Sequence, residues 1–223
     1  MAEEQASQRK VLRAGGIKRR KQILEATLRV ILRDGIRGVR HRAVAEEAKV
    51  PLASTTYYFK DIEELLSETF LFWNHSAIIY VDTIHDKISA HLNSGISDHI
   101  KDPETRTKLA TVFAGAAITF VLEKIENHRD DRVIELAFHH EATRNRKLRH
   151  VVRKSLNNQR ESMESFYQVL GSANPKADAR VTMSLMLRLE QEAVMDDEEV
   201  DSLAIKNTLS RHIHVMFLAA VND

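Results

Sequence analysis

Between Pro51 and Lys60 the chain reads LASTTYYF, a run in which Ser54, Thr55, Thr56, Tyr57 and Tyr58 set five hydroxyls side by side. Hydroxyls donate to phosphate oxygens, aromatic rings pack on sugars and on the thymine methyl, and a small residue such as Ala53 lets a helix approach a groove closely. Residues four apart share a helical face, so Val50, Thr55 and Phe59 point inward with Val44, Ala45 and Ala48. That leaves Ala53, Ser54, Thr56, Tyr57 and Tyr58 outward, a face suited to reading nucleic acid. The competing reading is a solvated face whose two tyrosines are half-buried against the following helix.

Other chemistries find less support. The chain has no cysteine, which removes disulfides, thiol nucleophiles and Cys-based zinc sites, and no cofactor is expected. There is no Gly-rich phosphate loop, no Gly-x-Ser-x-Gly elbow and no His-Glu-x-x-His helix, and the eleven histidines lack partners at catalytic spacing. His139 and His140 adjoin Glu141, but neighbours on a helix project about 100° apart and cannot easily face one ion. An enzyme is therefore not expected, and neither is a metal site.

The elements that must position the hydroxyl face are helices. Seven Gly and three Pro in 223 residues leave too few breakers for a many-stranded sheet, and 43% hydrophobic residues suffice for a sizeable core. No apolar run is long enough to span a membrane and the first sixteen residues are polar and basic, so an intracellular, cytoplasmic protein is expected. Charge is divided unevenly: residues 1–60 carry 14 Lys and Arg against 6 Asp and Glu, a net +8, and the remainder carries −7. The basic part is drawn to a phosphate backbone and the acidic part repelled from it. Periodicity predicts helices over 17–33, 42–48 and from Pro51 to about Lys60. A longer one follows, with Asp61 as cap and Glu64 in its first turn, reaching about Leu92. Residues 42–60 then form a helix-turn-helix with 52–59 as the recognition helix. The domain plan is a flexible basic tail over 1–16, hinged at Gly15 and Gly16, a helix-turn-helix DNA-binding domain over 17–60, and a larger helical domain over 61–223. The fold class is all-α, with about nine helices.

Residues 17–66, through ILEATLRVILRDGIRGVRHRAVAEEAKVP and YYFKDIEELL, resemble the DNA-binding domain of the tetracycline-repressor (TetR) family, including Gly35, Ala45, Ala48, Val50 and the aromatic Phe59. HRAVAEEAKVPLASTTYYF is similar to a subgroup with a Pro-Leu-Gly-Ser-Thr-Thr-Tyr-Tyr-Phe reading helix. The resemblance implies base or phosphate contacts from Arg42 and groove-facing roles for Ser54, Thr56, Tyr57 and Tyr58. Ala53, Arg40, Lys60, Lys18 and Arg19 complete the expected DNA-binding set. Three residues depart from the family pattern. Lys49 stands where the turn usually has Gly, at a cost of about 1 kcal/mol in a left-handed conformation. Arg40 replaces a capping Thr, and Ile62 replaces a Lys that reaches phosphate.

Beyond Pro103 the periodicity predicts helices to about Asn127 and over 131–143, 146–170, 176–195 and 201–221. Family architecture implies that the last two pair with their twins in a homodimer on a palindromic operator, through Val181, Leu185, Leu189, Leu209, Ile213, Met216 and Phe217. Burial within one chain explains the same stripes. The resemblance also implies a pocket among the helices between 61 and 170, lined by Phe72, Trp73, Phe113, Phe120, Phe138, Met163 and Phe166, with Arg144 pointing inward as the polar anchor for an acidic ligand group. Its effector would be an unidentified apolar or amphipathic small molecule. Together these expectations describe a ligand-responsive repressor. The alternatives are a helical protein-interaction module and a DNA binder without an effector.

Overall fold

A computed structural model of the chain describes residues 2–75, 102–169, 172–195 and 200–219. Among these residues the regular structure is helical: α1 (Ala2–Asp34), a 3-10 turn (Ile36–Gly38), α2 (His41–Glu47), α3 (Leu52–Tyr58), α4 (from residue 62 to 75), α5 (Pro103–Asn127), α6 (Arg129–Ala142), α7 (Arg146–Val169), α8 (Pro175–Met195) and α9 (Ser202–Ala219). The expected all-α class is what is found. The expected extensions of α4 to Leu92 and of α9 to residue 221 lie outside the described residues. One expectation changes: α1 runs unbroken from Ala2 through Gly15 and Gly16, so the glycine pair sits inside a helix and is no hinge there. Gly costs a helix interior only about 1 kcal/mol relative to Ala, which flanking helix formers can absorb.

The chain divides into two compact units, residues 1–76 with 134–153, and residues 77–133 with 154–223. In the first, Ile23, Leu24, Ala26, Val30 and Ile31 of α1 are buried, as are Val44, Ala45 and Ala48 of α2 and its cap, and Phe59 after α3. α1 ends at Gly35, whose φ of 69° and ψ of 176° fall in a region essentially reserved for glycine. Here the chain can reverse into the 3-10 turn and deliver α2 against α1. Polar side chains fix that packing: Glu47 of α2 receives Arg29 at 2.6 Å and Arg33 at 2.8 Å, and Gln22 Nε2 donates to the Ala48 carbonyl at 2.7 Å. Phe70, Trp73 and Phe138 form an aromatic cluster in the same unit, Phe138 lying edge-on to Phe70 with centroids 5.4 Å apart.

The second unit holds two apolar clusters. Leu109, Ala110, Phe113 and Ala114 of α5 meet Tyr167, Ala179, Ile213 and Phe217 in one. Val121 and Ile125 meet Ala193, Ile205 and Leu209 in the other. α5 is opened by an Asp102 cap that accepts from the Thr105 backbone N–H at 2.8 Å, with Pro103 in the first turn.

Candidate nucleic-acid interface and internal cavity

The turn between α2 and α3 sets the direction of the hydroxyl face. The Lys49 N–H donates to the Glu46 carbonyl and the Val50 N–H to the Ala45 carbonyl, at 3.1 and 3.0 Å. Lys49 itself takes the left-handed conformation, φ 52°, as expected where a glycine is usual. Pro51 supplies the entry to α3. Thr55 is then fully buried, its hydroxyl donating to the Leu52 carbonyl at 2.8 Å, and Phe59 is fully buried beyond it. With those two residues fixed inward, Ala53, Thr56 and Tyr57 are exposed, Tyr57 by 81%, and Ser54 and Tyr58 are half-buried. The tyrosines meet edge to face with centroids 5.0 Å apart, so each limits the rotamers of the other.

Arg40, Arg42, Lys60, Lys18 and Arg19 are all exposed, a set of cations in the same unit as α3. Arg40 occupies the N-cap of α2 without a side-chain cap bond, so its guanidinium is not committed to the helix end. Arg20 behaves otherwise. It pairs with Glu68 and lies 5.3 Å from the centroid of the Phe59 ring, which ties α1 to α4. The basic run at 18–21 had concealed that structural role, because charge alone does not say which member finds a partner.

α4 is opened by Asp61, whose carboxylate accepts from the Glu64 backbone N–H at 2.7 Å, while Glu64 reaches back to the Lys60 N–H. Lys147 of α7 also reaches Asp61, at 3.0 Å. These donors hold the Asp61 carboxyl below its ordinary range, the backbone bond first and Lys147 second.

A cavity of about 150 Å³ lies within the second unit, among α5, α7, α8 and α9. Phe113, Ala116, Ala117 and Phe120 face it at helical spacing, the two alanines leaving the space between the rings. Met163, Phe166, Met186, Ile213 and Phe217 complete the apolar wall. Its polar groups are Gln159, Ser162, Tyr167 and Thr182. The Tyr167 and Thr182 hydroxyls are 2.6 Å apart, and His212 Nε2 is 2.7 Å from that of Thr182. Burial raises the Tyr167 phenol and lowers the His212 imidazole, which favours the neutral form of each.

Four expected lining residues, Phe113, Phe120, Met163 and Phe166, therefore share one cavity. Trp73 and Phe138 do not line it: they are buried in the aromatic cluster of the other unit, where Phe72 is half-buried. Arg144 is exposed and does not point inward. α6 ends at Ala142, so Arg144 falls in the turn before α7, and the carbonyls there accept from Arg149 instead. Sequence reading missed Tyr167, Thr182 and His212; a threonine in the apolar stripe of α8 was their one signal.

The proposed dimer residues also divide. Leu209, Ile213 and Phe217 belong to the chain's own core, and Leu185, Leu189 and Met216 pack against it, whereas Val181 is 49% exposed. Among the described residues no three His, Asp or Glu side chains converge as a metal site, and no helix is long and apolar enough to cross a membrane.

The sequence profile of the "Bacterial regulatory proteins, tetR family" matches residues 23–69, from the core of α1 into α4. Those residues are a TetR-type helix-turn-helix domain. The HTH-type transcriptional regulator PksA of Bacillus subtilis (strain 168) is 50% identical over 50 residues, a stretch covering 22% of this chain and 24% of PksA. Whole-chain likeness comes from solved structures. The protein SCO7518 of Streptomyces coelicolor A3(2) superposes with a TM-score of 0.60 at 26% identity, covering 87% of this chain and 98% of that one. The multidrug binding protein EbrR, complexed with ethidium, superposes with a TM-score of 0.56 at 25% identity over 87% and 97% of the two chains.

Proposed function

We propose that this protein is a ligand-responsive transcriptional regulator, a repressor, that binds a palindromic operator as a homodimer. Residues 17–60 read DNA and residues 61–223 carry the sensing and dimerising functions. The observation that carries the reading is the face of α3: Thr55 and Phe59 are locked inward, which turns Tyr57, Thr56 and Ser54 out on a rigid support, with Arg40, Arg42 and Lys60 exposed in the same unit. The family match over the same residues supports it. Arg42 and Lys60 supply sequence-independent attraction to phosphate, and Tyr57 with its neighbours supplies the base-edge and sugar contacts. The likeness to PksA over 50 residues says nothing of a DNA sequence, so the operator is to be sought upstream of the protein's own gene.

The cavity is the effector site of this reading, supported by its apolar wall and by the small-molecule complex of the similar EbrR. A ligand acts by binding the DNA-incompetent arrangement more tightly and so lowering operator affinity. Of the residues expected to meet a second copy, Val181 of α8 is the outward one. In a promoter-fragment titration, Tyr57→Ala and Arg42→Ala should each weaken binding by about 1–3 kcal/mol with unchanged helix content. Undiminished affinity in both variants would remove α3 as the reading helix.

A further inference from the structure

The cavity's chemistry narrows what can occupy it, an inference that rests on reading the cavity as the effector site. Among the described residues its walls contain four phenylalanines, two methionines, an isoleucine and two alanines, and no Asp, Glu, Lys or Arg. A charged ligand group would leave its hydration with no opposite charge among these lining residues to receive it. The volume of about 150 Å³ matches one or two fused rings, since an engineered apolar cavity of that size in another protein takes up benzene. The phenylalanine faces and edges favour an aromatic occupant over an aliphatic one.

The polar end is equally restrictive. Tyr167 and Thr182 line the cavity and are both 4% exposed, and their hydroxyls form a chain with His212 in which Tyr167 is the terminal hydroxyl. If Thr182 donates to Nε2, Tyr167 donates to Thr182 and keeps an acceptor lone pair for a ligand. If Nε2–H donates to Thr182, Thr182 donates to Tyr167 and the phenol hydrogen is free for a ligand acceptor. A ligand hydroxyl satisfies either arrangement, because it donates and accepts. We propose that the cavity binds an uncharged, hydroxyl-bearing aromatic molecule of one or two rings, with Tyr167 reading the hydroxyl and Thr182 and His212 holding Tyr167 in place.

The test uses the full chain and four probes of similar shape: naphthalene, 2-naphthol, 2-naphthoate and 2-naphthylmethylammonium, titrated calorimetrically near neutral pH. 2-Naphthol should bind about tenfold more tightly than naphthalene, the scale of one buried hydrogen bond, and more tightly than either ion. In Tyr167→Phe the preference for 2-naphthol over naphthalene should vanish, and in Thr182→Val it should shrink. Retained naphthalene binding shows that each variant is folded with its cavity intact. Ala117→Leu, which fills the space, should abolish binding of all four. Equal or tighter binding of either ion, survival of the full preference in Tyr167→Phe, or no binding of naphthalene and 2-naphthol by the wild type would overturn the proposal. Promoter binding without probe is measured in parallel: its persistence when the probe series fails removes only the ligand class, and its absence when the series holds removes only the regulator reading.

Discussion

At Lys49 the helix-turn-helix accepts a local strain that a glycine would avoid, with φ at 52° and the side chain exposed. A side chain in that region costs about 1 kcal/mol or more, and part of any gain from glycine returns to the unfolded chain as entropy. Lys49→Gly should therefore raise the unfolding free energy by about 0.5 kcal/mol, read from denaturant midpoints at unchanged slope. It should also lower affinity for DNA of any sequence, because an exposed cation next to the reading helix is lost. The position of Lys49 was legible in the sequence, and so was the split of α3 into inward Thr55 and outward Tyr57. The second follows from a period of four against neighbouring apolar residues, and the first from the family resemblance, which places a glycine in that turn. The outward direction of Arg144 was not legible: the expected helices already left it between 143 and 146, but which way a turn residue points depends on local bonds such as that of Asn145, whose side chain accepts from the Leu148 N–H at 3.0 Å.

At the scale of elements, the start of α4 is where local and long-range charges converge. Asp61 caps its own helix and receives Lys147 from α7, and both keep its carboxyl below the ordinary range. A carboxylate with a depressed folded-state pKa adds stability that is fully present above its unfolded value, about 4, and is lost as pH falls through the folded value. Asp61→Asn should thus melt at a lower temperature than wild type near neutral pH, and the gap should close as the buffer is acidified from about pH 5 to about pH 2. A gap that stays constant over that range would show that the charge on Asp61 does not contribute. Periodicity located α5 to α9 to within a few residues, since long apolar stripes dominate each. It could not assign Phe138 and Phe113 to separate clusters. The two lie on successive helices, yet Phe138 packs with Trp73 and Phe113 with Phe166, and helical spacing carries no information about which partner a stripe meets.

For the molecule as a whole, the same stripes on α8 and α9 must supply both an internal core and, in the proposed dimer, an external face. Leu209 is fully buried in the chain's own core, and Val181 is half-exposed. Truncating Leu209 to Ala should accordingly cost about 2–5 kcal/mol of folding stability. Val181→Asp should leave the melting temperature nearly unchanged and shift the protein towards monomer in sedimentation at micromolar concentration. If Val181→Asp sediments as wild type does, the twofold uses another surface. The charge division, +8 over residues 1–60 and −7 over the rest, gives the chain one part that seeks phosphate and one that avoids it. That asymmetry makes binding salt-dependent whatever the DNA sequence, so affinity alone does not establish a regulator.

The central claim is tested most directly by titrating the protein, over a series of salt concentrations, with a fragment from upstream of its own gene and with a random fragment of equal length. The account predicts that both affinities fall as salt rises, that the promoter fragment holds an advantage of at least about a thousandfold at physiological salt, and that Tyr57→Ala erodes that advantage far more than it erodes random binding. Equal affinity for the two fragments at every salt concentration, unchanged by Tyr57→Ala, would contradict it.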